Sequence, residues 1–108
     1  MKLSLNVFER LSVLQTLPPS GNFITMKIVR DLQDKLSFTE EEIKELEIKE
    51  RNDAVSWNPK GNEPKEIEIG EKAMDIVVDS FKKMDEEGKL TLRTLPLYEK
   101  LVVESEKS

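Results

Sequence analysis

Ser20-Gly21-Asn22 stands directly before an amphipathic stretch that carries Lys27 and Arg30 about one turn further on. Free backbone N–H groups at a helix start, with cations close by, are what an anion such as phosphate requires. Ser20, Gly21, Asn22, Lys27 and Arg30 are therefore the candidate anion-binding residues. Neither a GxxxxGK[ST] nor a GxGxxG pattern accompanies them, and a turn feeding a helix cap accounts for the same residues without any ligand. Lys60-Gly61-Asn62 is a second loop of this kind. Glu40-Glu41-Glu42 offers three carboxylates to a basic partner, although a helix dipole by itself favours acids in a first turn. Trp57 is the sole tryptophan. Such a residue plugs a core or anchors an interface, so Glu40, Glu41, Glu42 and Trp57 are the partner-binding candidates.

Other chemistry finds little support. The chain has no histidine and no cysteine, the side chains that do most acid–base, nucleophilic and metal work near neutral pH. Asp75 and Asp79 lie one helical turn apart, but a chain with 22 acids contains such pairs by chance, and no nucleophile accompanies this one. The run from Phe81 to Thr91 resembles a helix entering a calcium-binding loop. Taking Gly88 as the loop glycine puts Lys83 and Thr94 at the two ends, where carboxylates are required; a helix C-cap at Gly88 is the better reading. No catalytic residue, metal or cofactor is assigned, and the chain is not expected to be an enzyme.

At 108 residues, with 37% apolar and 36% charged, the chain fits one small domain with a core of Leu, Ile and Val under a charged surface. The net charge of −5 is uneven: residues 1–36 carry +2, 37–72 carry −5 and 73–108 carry −2. A net acidic chain is a poor general binder of nucleic acid. Residues 1–13 lack the apolar run of a signal peptide, and no run approaches the roughly 20 residues that span a bilayer. Together with the absence of cysteine this favours a soluble protein of the cytoplasm.

The elements that must position these residues follow from periodicity. Leu3, Leu5 and Val7 alternate with polar residues and could open a strand. Asn6 and Glu9 form a capping box for a helix over Val7 to Thr16, with Phe8, Leu11, Leu14 and Leu17 as its apolar face. Ile24, Ile28, Leu32 and Leu36 predict an amphipathic helix over residues 24–36, and Thr39 with Glu42 caps a short acidic helix to about Leu46. Leu46 and Ile48, then Val55 and Trp57, predict a hairpin turning at Asn52-Asp53, with a third strand over Lys65 to Ile69. From Gly70 a helical period follows, with Ala73, Ile76, Val77, Phe81 and Met84 as its stripe and Gly88 as its stop, and a last helix is expected around Leu97 to Glu104. The expected fold is a helix-rich α+β single domain over residues 1–104, with a small antiparallel sheet made of the hairpin plus one strand and a frayed tail at 105–108.

The blocks from Arg10-Leu11 through Leu17-Pro18 and Gly21-Asn22-Phe23 to Lys27-Ile28-Val29, then Lys35-Leu36-Ser37-Phe38-Thr39-Glu40-Glu41-Glu42, resemble small accessory proteins of tailed phages and prophages. Glu68-Ile69-Gly70-Glu71 and Leu97-Tyr98-Glu99-Lys100 are similar to the later blocks of that group. The resemblance covers nearly the whole chain and carries no catalytic residue. It implies a phage-encoded accessory protein acting inside a bacterium, in its cytoplasm, with no settled activity. The leading reading in that context is a non-enzymatic inhibitor or adaptor that binds a bacterial or phage protein through the acidic middle third, since acidic surfaces steer toward basic partners. Two alternatives stay open: a homo-oligomer that captures a small nucleotide signal of antiphage defence with Lys27, Arg30 or Lys35, and a virion or tail-assembly component.

Overall fold

Strand alternation marks the first described residues: Leu3 and Leu5 are buried, Lys2 is exposed and Ser4 half-buried, so Lys2–Leu5 forms strand β1. The computed structural model describes residues 2–103; the expected tail at 105–108 lies outside them. Asn6 then caps helix α1, Val7–Thr16. Its side-chain oxygen accepts from the Glu9 N–H at 2.8 Å, and the Glu9 carboxylate accepts from the Asn6 N–H at 3.0 Å. The span agrees with the sequence, but the buried face is turned by one residue. Val7, Arg10 and Val13 are buried; of the expected face Leu17 is buried too, while Phe8, Leu11 and Leu14 are only half-buried.

After Pro18-Pro19, Asn22 caps helix α2, Phe23–Leu36, accepting from the Thr25 N–H at 2.8 Å. Val29, Leu32 and Leu36 are buried, whereas Ile24 is 66% exposed. A four-residue spacing overshoots a 3.6-residue turn by about 40° per step, so three steps from Leu36 carry Ile24 about 120° off the core face. Thr39 and Glu42 form the second capping box, at the start of helix α3, Glu40–Glu45.

The strands pair differently from the expected three-stranded sheet. β2, Lys49–Arg51, and β3, Ala54–Ser56, make a separate hairpin turning at Asn52 and Asp53, whose φ values are 48° and 65°. The strand after it, β4, Lys65–Glu68, pairs antiparallel with β1, in the register Leu3 opposite Ile67. The apolar surface decides this. Leu3, Leu5, Ile67 and Ile69 are all buried and share one core, while no residue of β2 or β3 is buried, so the hairpin has no apolar face to align with β4.

Helix α4, Glu71–Glu86, packs Met74, Val77 and Phe81 against α1 and α2, with Phe81 wholly buried. It stops at Gly88, φ 67°, where the Lys89 N–H reaches the Met84 carbonyl and the Gly88 N–H that of Asp85. Helix α5, Leu95–Tyr98, with Pro96 in its first turn, runs into a π-helical turn, Glu99–Val103, where one longer helix is expected. Leu97, Leu101 and Val102 complete the core, and the Lys100 ammonium donates to the Ser4 carbonyl. The result is one helix-rich α+β domain with a small antiparallel set of strands. No helix among the described residues is long and apolar enough to cross a membrane.

Candidate functional site

Three arginine nitrogens set the geometry of the acidic segment. Arg10 is 3% exposed, which requires every charged donor to be matched. Its Nε donates to the Leu36 carbonyl at 3.1 Å and Nη2 to the Ser37 carbonyl at 2.9 Å, the free end of α2. Its Nη1 donates to Glu42 Oε2 at 2.7 Å, and its guanidinium lies over the Phe38 ring at 4.1 Å. The Lys65 ammonium reaches the same Glu42 oxygen at 3.3 Å. The Arg10 guanidinium holds the Glu42 carboxyl at about 2, with the Thr39 N–H and Lys65 adding to the effect against partial burial.

The acidic run therefore divides. Glu40 and Glu41 are exposed, but Glu42 faces inward and is used up in joining α1, α2 and α3. Trp57 is half-buried and covers Gly61: a Cβ placed there would lie 2.4 Å from Trp57 Cδ1 and 2.9 Å from Val7 Cγ2. Its indole N–H donates to Asn62 at 3.3 Å. Lys60-Gly61-Asn62 is thus a packed 3₁₀ turn, its Lys60 and Gly61 N–H groups bonded to Asn58, and not an open anion cradle.

The five anion candidates are not brought together. Ser20 lines a hollow of about 550 Å³ between the ends of α1 and α4, whose nearby charges are Lys83, Glu87 and Lys89. Asn22 spends its side-chain oxygen on its own helix. Lys27 and Arg30 line a different hollow, of about 310 Å³, with Phe23 and Met26. Asp75 and Asp79 are exposed on α4. Among the described residues no group of three or more carboxylates is placed to hold one metal ion.

That second hollow belongs to the most exposed apolar surface at any helix start in the molecule's described part. Phe23 is 78% and Ile24 66% exposed, side by side in the first turn of α2. Phe23, Lys27 and Arg30 follow each other at helical spacing, so ring and cations share one face. The Lys27 ammonium lies 5.9 Å from the Phe23 ring centroid. Neither Lys27 nor Arg30 forms an ion pair with a described residue. No acid occurs between Glu9 and Asp31. Sequence reasoning picks out the two cations but assigns Ile24 to the core and leaves Phe23 aside; the 120° phase drift along α2 is the signal that finds both.

Comparison of the chain with protein-family models, with curated proteins and with solved structures gave no match.

Proposed function

We propose that this chain is a non-enzymatic interaction protein, an accessory protein of the phage type, that binds a bacterial or phage protein as an inhibitor or adaptor. What supports the reading is the pair Phe23 and Ile24, two large apolar side chains left in water at 78% and 66% exposure on adjacent positions. Single exposed apolar residues are ordinary; a contiguous group rimmed by cations is the composition of an interaction surface. The binding face moves accordingly, from the acidic middle third to the first two turns of α2. Glu42 is engaged within the fold, and Trp57 is engaged with Gly61, which leaves Glu40 and Glu41 as a solvated helix start.

Retention of bacterial lysate proteins on the immobilised chain, compared with Phe23→Ser, tests this. A protein held by the wild type and released by the variant is the expected result. Identical sets of retained proteins on both would remove the α2 face as the binding surface.

A further inference from the structure

We infer that the partner segment seated on the start of α2 is acidic and carries apolar anchors of its own, an amphipathic acidic stretch of a protein. The inference rests on the reading of this face as a protein-binding surface and adds the chemistry of what it takes.

Charge makes the assignment. The chain carries −5 overall, yet the twenty residues between Glu9 and Arg30 include no acid. Lys27 and Arg30 stand on the face of Phe23, without a carboxylate partner among the described residues. α2 has no acid in its first turn, where the helix dipole favours one. The nearest carboxylates on α2, the exposed Asp31 and Asp34, lie one turn beyond Lys27 and Arg30, so a basic partner at the first turn meets the cations first. An acidic partner finds two cations and the positive end of a helix, while its apolar side chains cover Phe23, Ile24 and the half-buried Met26.

Nucleic acid is the other polyanion with something to stack on an exposed ring. Two observations favour protein. Ile24, as exposed as it is, offers an aliphatic surface with no stacking value, and the remainder of the molecule is negative, with −5 in residues 37–72 alone. A long polyphosphate is repelled by that field, whereas a short acidic segment meets only the local cations. The chain's own acidic helix α3, where Ile43 is 42% exposed beside Glu40 and Glu41, is a self-partner that the experiment must separate from a foreign one.

The test uses the full chain and three fluorescent probes, read by anisotropy. One is a short amphipathic helical peptide with leucines one turn apart and glutamates elsewhere; the second has lysine in place of every glutamate; the third is an oligothymidine. The glutamate peptide is expected to bind about tenfold or more tightly than the other two, and less tightly as salt rises. Lys27→Glu with Arg30→Glu should reverse the preference between the peptides, and Phe23→Ser should weaken the glutamate peptide about tenfold. Equal or tighter binding of the lysine peptide or of oligothymidine overturns the inference. So does an unchanged affinity in the doubly charge-reversed protein, or self-association by light scattering that Phe23→Ser abolishes. If the glutamate peptide fails while Phe23-dependent retention of a lysate protein persists, the acidic assignment falls and the binding face stands; if both fail, both fall.

Discussion

Arg10 and Glu42, 32 residues apart in the sequence, meet at 2.7 Å between Nη1 and Oε2, and the same guanidinium closes the carboxyl end of α2 through the Leu36 and Ser37 carbonyls. One buried cation thus satisfies two open helix carbonyls and one carboxylate, fixing α1, α2 and α3 against each other. A cation at a helix C-terminus also meets the negative end of its dipole. The carboxyl end of α2 is held to α1 and α3 through this junction, while Val29, Leu32 and Leu36 seat the helix on the core.

Removing the guanidinium leaves the Leu36 carbonyl and Glu42 without their buried donor. Arg10→Ala should cost about 3 kcal/mol or more. Arg10→Lys keeps a charge but cannot reach three acceptors at once and should cost about 1–2 kcal/mol. Urea unfolding, compared at equal slope, measures both; a midpoint unchanged in Arg10→Ala would show that the junction carries no stability.

Acid should loosen the fold through Glu42. Its folded-state value of about 2 lies below the ordinary 4.5, chiefly because of Arg10. A lowered value means that the folded state holds the charged form more tightly, so the stabilisation is complete above pH 4.5 and declines as pH falls toward 2. Its size is about 1–3 kcal/mol, at the lower end because Lys65 is 59% exposed and screened. Stability measured between these pH values should fall less steeply in Glu42→Gln than in the wild type. From about pH 5 to 8, with no histidine in the chain, stability and binding should both be nearly flat.

Gly61 is a packing requirement and not a ligand cradle. Gly61→Ala places a methyl group 2.4 Å from the Trp57 ring and 2.9 Å from Val7, so the indole must move or the turn must open. The expected loss is about 1–3 kcal/mol, with a red shift in the fluorescence of the single tryptophan as the ring gains water. An unshifted spectrum and unchanged stability would place Trp57 elsewhere.

Local signals were readable in the sequence because local chemistry produces them. Both capping boxes, the αL stop at Gly88 and the Asn52-Asp53 turn depend on residues within a few positions of each other. What depends on distant partners was not readable. Lys65–Glu68 has the alternation of a strand, but its choice of β1 over the nearer hairpin reflects which strands have an apolar face to bury. Arg10 carried a usable sign, since it lies three residues from both Val7 and Val13 on the buried side of α1; its acceptors, 26 to 32 residues away, did not. The α2 face differs from the four-residue pattern for a geometric reason, the gap between a spacing of four and a turn of 3.6.

A residue that is exposed for binding and a residue that is exposed by chance differ in one respect: the first can be removed with loss of a partner and no loss of fold. The decisive measurement sets the unfolding free energy of the double variant Phe23→Ser, Ile24→Ser beside its retention of lysate proteins. The predicted result is stability within about 1 kcal/mol of the wild type together with loss of a protein the wild type holds. Unchanged retention, or a loss of several kcal/mol that makes these side chains part of the fold, would contradict the assignment of the α2 face to binding.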